Sequence, residues 1–349
     1  MANKSLLPTL SQVARVAGVG SATVSRVING GERVSPETMV HVLRVIQKLG
    51  YVPNQAARTL KGHRTKTIGL VVPSTADPFF SSCAEVIQQI ARANGLLLIV
   101  TATDNNAESE VDSLNALIRQ RVDGMIIVPS NARSPGLCGL LERTNMPMVA
   151  IDRPIRNSGI PSVVADNAKG AQTATEHLIE HGYERIVCLT GESNLYTIRE
   201  RMNGYRKAME AANLNPVFDL SVKDYKSTEL AIKNLLHGSK APDAIFATKN
   251  QTTIYAFEAL LKFNVAMPRT VALFGFDDFE LASTVRPSIS VIAQPVEEIG
   301  RRAAELLFAQ LEDSRNEESA PAPKNQIIKV KTHLIPRSSC GCSDPLSYR

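Results

Sequence analysis

Two rhythms of apolar residues divide this chain. Up to about position 66, hydrophobic side chains recur at three- and four-residue spacing in short bursts, which predicts helices. Thr9 stands before the first burst with Gln12 three residues on, a capping box. Val13, Ala14 and Ala17 form its apolar side, Gly18 permits a sharp turn, and Val24, Val27 and Ile28 carry the next stripe. Ser35-Pro36 opens a third helix with apolar Val42, Leu43, Ile46 and Leu49 before Gly50. Beyond position 66, short apolar blocks at 68–72, 96–100, 125–128, 148–151, 186–189, 244–247 and 271–274 predict buried strands. Amphipathic stretches at 82–93, 108–119, 170–181, 200–212 and 227–237 predict helices between them. That alternation is the pattern of an α/β protein with parallel sheets. More than 250 residues remain after the head, enough for two sheet subdomains.

Charge sharpens the division. Residues 1–66 carry ten Lys or Arg against two acids, a net of +8 on a chain of +5, so the rest sums to −3. Basic character confined to a small helical head points to nucleic acid. Two short helices around a tight turn form a helix-turn-helix, whose second helix reads the major groove. On it, Arg26 has the paired donors that guanine accepts, and Ser21 and Ala22 are placed to read neighbouring base edges. A plain solvated helix face would also carry small residues, and the basic excess decides between the two. Arg15, Arg33 and Lys48 fit phosphate contacts or surface charge equally well.

Residues 9–60 resemble the headpiece and hinge of the LacI/GalR family of bacterial transcription regulators, and later segments extend the resemblance over residues 8–338. It implies that Ser21 and Ala22 choose operator bases, that Arg26 is a major-groove contact, and that 54–60 is a hinge helix ordered on DNA. There Asn54 and Ala57 would face DNA and Leu60 would wedge into the minor groove. Seven residues are too few for a stable free helix, so partner and DNA contacts would supply the ordering. The implied organisation is an all-α helix-turn-helix head at 1–50, a hinge and linker at 51–66, a two-lobed periplasmic-binding-protein-like body at 67–338 and a polar tail at 339–349. Lobe one would hold 67–165 and 295–323 and lobe two 166–294 and 324–338, with crossings near Ala165, Gln294 and Lys324.

Ligands of open parallel sheets lie beyond the strand carboxyl ends. Residues 73–80, Asp152-Arg153 and Gly275-Phe276-Asp277-Asp278 all leave predicted strands there. One aspartate at such a place is as well explained as a helix cap; several together imply a cleft. The resemblance assigns Asp77, Phe79 and Phe80 to a loop that orients a sugar ring, Arg201 and Asp277 to the ligand's hydroxyls, Asn250 and Gln294 to polar pocket or hinge positions, and Thr197 and Tyr225 to the second lobe's wall. Aromatic faces over C–H groups, with carboxylate, amide and guanidinium on hydroxyls, suit a polyol. The local sequence Thr248-Lys249-Asn250-Gln251 lacks the acid that the family often places after this asparagine. Lys249 beside Arg201 raises a second possibility, an effector bearing carboxylate or phosphate.

Other function classes find little. The six histidines show no zinc-protease spacing, and no glycine-rich phosphate loop follows a predicted strand, so no enzyme and no cofactor is expected. A secreted sugar-binding protein would share the body, but residues 1–8 lack an export signal's apolar core and no transmembrane run follows, so a cytoplasmic location is expected. Cys83, Cys138 and Cys188 are isolated, and Cys340-Gly341-Cys342 alone is too sparse a motif to assign a metal. One head reads half a site, so a homodimer on a pseudo-palindromic operator is expected. The helix near Ser82 with 114–120, and the stretch 301–310, are candidate interfaces. The tail lacks a leucine heptad that would join dimers.

Overall fold

The computed structural model describes residues 8–30, 33–52, 64–191, 194–238, 241–313 and 326–343. The hinge assignments of Asn54, Ala57 and Leu60 lie outside these residues. The chain divides into two compact units, Met1–Thr65 and Lys66–Arg349.

The first unit is three helices around one small core: α1 (Leu10–Ala17), α2 (Ser21–Ile28) and α3 (Pro36–Leu49). The capping box at α1 is formed, with Gln12 N–H donating to Thr9 Oγ1 at 3.3 Å and Thr9 N–H donating to Gln12 Oε1 at 2.7 Å. Gly18 ends α1 at φ 64° and Gly50 ends α3 at φ 63°, left-handed conformations that favour glycine. Val13, Ala14, Ala17, Val24, Val27, Val42, Val45 and Tyr51 fill the interior. Leu43, expected in the α3 stripe, is exposed, and Val45 takes its place. Leu43 sits about 100° around the helix from Val42, off the face that Val42, Val45 and Leu49 share.

The second unit contains two six-stranded sheets. Sheet one is built from β1 (Thr67–Val72), β2 (Leu97–Ala102), β3 (Gly124–Ile127), β4 (Met148–Ile151), β5 (Ser162–Ala165) and β11 (Ile327–Val330), in the order β11-β5-β4-β3-β1-β2 and parallel throughout. Helices α4 (Pro78–Ala93), α5 (Ala107–Arg119), α6 (Pro135–Arg143) and α11 (Val296–Asp313) cover it. Sheet two is built from β6 (Ile186–Leu189), β7 (Val217–Asp219), β8 (Ala244–Ala247), β9 (Ala272–Phe276), β10 (Ser290–Ala293) and β12 (His333–Ile335), ordered β12-β10-β9-β8-β6-β7 with only the β10–β12 pair antiparallel. Its helices are α7 (Asn167–Glu180), α8 (Tyr196–Ala211), α9 (Tyr225–His237) and α10 (Asn250–Lys262).

Nearly continuous burial of β1, β3, β4, β6, β8 and β9 explains why these strands were legible as unbroken apolar runs. The chain crosses between sheets after Ala165, after Ala293 and between Val330 and His333. The last crossing corrects the expected one near Lys324: residues 327–330 belong to sheet one because β11 pairs in register with β5, Ile327 beside Ser162 through Val330 beside Ala165. The start of the expected polar tail is likewise part of the packed body. Ser339 and Cys340 are fully buried, and a 3-10 turn at Ser338–Cys340 packs against β9 and β10.

Candidate functional site: a polar cleft at the strand ends and an exposed helix face

The cleft grows from the turns that follow the parallel strands. After β1, Asp77 caps α4 by accepting the Phe79 N–H at 3.0 Å. After β4, Asp152 adopts φ 65° and is paired with Arg153 at 3.2 Å, both almost fully buried. After β9, Asp277 takes φ 73°, and its carboxylate faces two donors. Arg201 Nη1 donates to it at 3.2 Å and Gln294 Nε2, from the turn after β10, donates at 2.6 Å.

Arg201 is the most constrained group of the site, with 3 % of its surface exposed. Its Nε donates to Asn167 Oδ1 at 2.8 Å, Nη1 donates to the Thr248 carbonyl at 2.7 Å, and its guanidinium carbon lies 3.7 Å above the Phe276 ring. A buried cation is retained only when so matched by acceptors and a counter-charge. Asn250, the first residue of α10, reaches across to the other sheet, where Nδ2 donates to Asp77 Oδ1 at 3.4 Å. Pro78, Phe79 and Ser82 from one side and Asn250, Asp277 and Gln294 from the other line a cavity of ≈ 110 Å³.

Burial dominates the electrostatics. It pushes the Asp77 carboxyl above its ordinary value, with the Phe79 N–H pulling the other way and nearby Asp277 adding to the rise. Burial also raises Asp152, against the pull of Arg153 and then Arg201. Asp152 and Asp277 are each paired with a guanidinium, Arg153 and Arg201 respectively, and Asp77 accepts from neutral N–H donors.

Asp77, Arg201, Asn250, Asp277 and Gln294 are joined by the bonds above, and Asp152 lies within their field. Phe79 lines the cavity and meets Phe80 edge-on at 5.1 Å; both rings belong to the core of sheet one. Thr197 is buried in the first turn of α8. Tyr225 opens α9 and packs edge-on against Tyr255 at 5.8 Å. Sequence reasoning missed Asn167 and the Thr248 carbonyl, although Asp166-Asn167 directly after a crossing strand carries the signal of a helix start at a sheet edge.

On the first unit, Ser21, Ala22 and Arg26 are all exposed, on the side of α2 away from buried Val24 and Val27. The three expected base-reading positions thus share one solvent face.

The Cys340-Gly341-Cys342 segment holds the other departure from expectation. His177 and His181, on α7 and just beyond it, stand against both cysteines, so four potential ligand atoms lie within 4.8 Å of one another. Chain spacing hid this group, because its two halves are about 160 residues apart.

A helix-turn-helix head followed by a two-lobed α/β body with a polar cleft defines a DNA-binding regulator with a ligand-binding body. Residues 9–54 match the model of the bacterial regulatory proteins of the lacI family, and residues 65–331 match the model of periplasmic binding proteins and the sugar binding domain of that family; the chain belongs to the LacI family. Among its relatives, the ribose operon repressor of Haemophilus influenzae is 32% identical over 88% of this chain and 93% of its own. The transcriptional repressor PurR of Photobacterium profundum is 32% identical over 95% and 98%. In fold, the chain matches the lac repressor dimer bound to operator and an anti-inducer, with a TM-score of 0.84, 24% identity and coverage of 96% and 99%. Among the described residues no helix is long and apolar enough to cross a membrane.

Proposed function

We propose that this protein is a cytoplasmic, non-enzymatic repressor that binds operator DNA as a homodimer and responds to a neutral, hydroxyl-rich effector of the sugar class. The observation that carries the effector reading is the Arg201–Asp277–Gln294 chain. Arg201 already has Asp277 as counter-charge, so it needs no anionic ligand, while Asp77, Asp152 and Asp277 offer acceptors to hydroxyl donors. Lys249 caps α10 at the same rim, and an acidic sugar is the alternative that the test below addresses.

A cavity of ≈ 110 Å³ is small beside the roughly 300–1,000 Å³ typical of ligand pockets. Effector entry therefore requires the two sheets to part and the Asn250–Asp77 contact to open. A ligand that binds one arrangement of the lobes more tightly shifts the population toward it, which is the physical content of coupling to DNA. Whether the ligand releases or tightens DNA binding follows from which arrangement it prefers, and inducer and corepressor use the same groups.

Homodimer formation is supported by the pairing of half-sites that one head requires and by the edge strand β2, which exposes Leu97 and Val100. Helices α4 and α11 also pack closely on one another, a Cβ on Gly300 lying 2.9 Å from Val86 Cγ1, and they leave Ser82, Glu85, Gln89, Arg301 and Arg302 exposed beside that seam as the face available to a second copy.

The test is a thermal-shift screen of neutral sugars, sugar acids and sugar phosphates, followed by operator binding with each stabilising compound. Neutral sugars are expected to raise the melting temperature of the wild type but not of Asp277→Asn, which keeps the shape and loses the charge. Stabilisation by anionic sugars alone, abolished in Lys249→Ala, would establish the acidic effector instead. An Asp277→Asn protein with wild-type response would remove this cleft from the mechanism.

A further inference from the structure

Far from the cleft, the carboxyl end of α7 gathers four side chains that the regulator's chemistry does not use. His177 Nε2 lies 3.2 Å from Cys340 Sγ and 3.5 Å from Cys342 Sγ, and His181 Nε2 lies 3.2 Å from Cys342 Sγ. The two imidazoles are four residues apart, one above the other on a single helical face, with ring centroids at 4.6 Å. In a tetrahedral site with Zn–S of about 2.3 Å and Zn–N of about 2.0–2.1 Å, adjacent sulfur and nitrogen ligands stand about 3.6 Å apart. The observed separations fall close to that edge length.

Local architecture holds the group in place. Gly341 has φ 101°, and a Cβ there would come within 3.3 Å of Tyr183 Oη and 3.4 Å of His181 Nδ1. This turn therefore needs glycine, both for its backbone and for room to present two cysteines to the same helix. Tyr183 Oη donates to the Cys340 carbonyl at 3.2 Å, and Ser339 Oγ donates to the Leu273 carbonyl at 2.6 Å. A cysteine serving only as a small core residue would explain fully buried Cys340. It does not explain partly exposed Cys342 seated between two imidazoles.

We propose that His177, His181, Cys340 and Cys342 form a closed tetrahedral Zn²⁺ site that fastens the C-terminal segment to α7. Two thiolates and two imidazoles are a ligand set suited to zinc, and four protein ligands leave no position for a substrate, so the role is structural. On binding, each thiol gives its proton to solvent as its sulfur bonds the metal, with no change of oxidation state. The site is separate from the cleft. Asn167, which holds Arg201, is ten residues before His177 on the same helix, about 15 Å away along its axis.

The test uses the full-length untagged protein, reduced, stripped with a chelator and titrated with Co²⁺ and then Zn²⁺. The expected result is one Co²⁺ per chain with thiolate-to-cobalt charge transfer and the intense visible bands of tetrahedral cobalt, bleached by Zn²⁺. Zn²⁺ should also raise the melting temperature. The double variant His181→Ala/Cys342→Ser changes only the less buried half of the group, and its fold is checked by circular dichroism. It should lose the charge-transfer band and the zinc-dependent shift. Three results would overturn the proposal: a reduced wild type with no charge-transfer band and no zinc-dependent shift, equal metal uptake by wild type and double variant, or a Cys340–Cys342 disulfide, seen as a mass two hydrogens low, in a chain whose reduced form takes up no metal.

Discussion

Exchanging Gly204 for alanine places two opposing effects on one residue. Gly204 lies inside α8, where alanine is intrinsically better by about 1 kcal/mol. A Cβ there, however, would lie 2.0 Å from the Ala168 carbonyl oxygen and 2.9 Å from the Gln172 nitrogen, both backbone atoms of α7. Neither can swing aside as a side-chain end would, so the two helices must separate by about 1.4 Å to restore ordinary contact. Arg201 on α8 donates to Asn167 on α7 at 2.8 Å, and the same displacement takes that bond out of range. Overpacking costs ~1–3 kcal/mol, and losing a hydrogen bond to a buried charged group costs ~1.5–3 kcal/mol. After subtracting the helix-propensity gain, Gly204→Ala should destabilise by about 1.5–5 kcal/mol, which in a unit of this size lowers the melting temperature by on the order of 3–10 °C. The matched control is Gly139→Ala in α6, where a Cβ meets nothing within 4 Å and the propensity gain stands alone. Melting curves of both variants, with effector titrations at a temperature where both are folded, supply the assay. A Gly204→Ala protein as stable as Gly139→Ala, or one with undiminished effector affinity, would refute the claim that this close approach positions Arg201.

Arg26→Ala should cost ~1–3 kcal/mol of discrimination at one base pair; equal loss on operator and scrambled DNA in a binding assay would make it a phosphate contact. Arg201→Ala leaves Asp277 without its cation and should destabilise by ~3–5 kcal/mol in denaturant unfolding. A loss within about 0.5 kcal/mol would show that the pair is solvated. For Asp77, burial raises the folded carboxyl above its unfolded value, so the stability it contributes is complete below the ordinary 3.8 and is lost as pH rises through the raised value. Asp77→Asn keeps the α4 cap and should therefore melt higher than wild type at neutral pH, with the advantage shrinking as pH falls toward 3.8. Melting curves across that range check the sign, and an advantage that grows toward acid contradicts it.

What could be read from the sequence follows from how local each signal is. The capping box at Thr9 and the left-handed glycines at 18 and 50 are decided within a few residues, so they were legible, as were strands buried on both faces. Strands β5, β7, β10, β11 and β12 have only three or four residues, with serine, aspartate, lysine or histidine among them, and no run distinguished them from loops. Helix α8 starts four residues before the amphipathic stretch at 200–212, and Leu195 caps it without the side-chain bond that marks a helix start in sequence. In the cleft, residues beyond strand ends were legible one loop at a time. The partners they choose were not, since Arg201 meets Asn167, Thr248 and Asp277 only after both halves of sheet two are assembled.

The two-residue step from β11 to β12 places a constraint on the order of events during synthesis. Strand β5 acquires its outer neighbour only from residues 327–330, and β10 acquires its antiparallel neighbour only from residues 333–335. Each sheet thus presents an unpaired edge until nearly the whole chain has been made, while the three-helix head draws all its core contacts from the first 51 residues. Long-range strand pairing is slow, and an open strand edge is a template for mispairing. A ribosome that stalls before residue 327 therefore releases a chain whose three-helix head has all its core residues, on a body whose two sheets each lack one outer strand. Chains that end before residue 327 are expected to aggregate through those open edges.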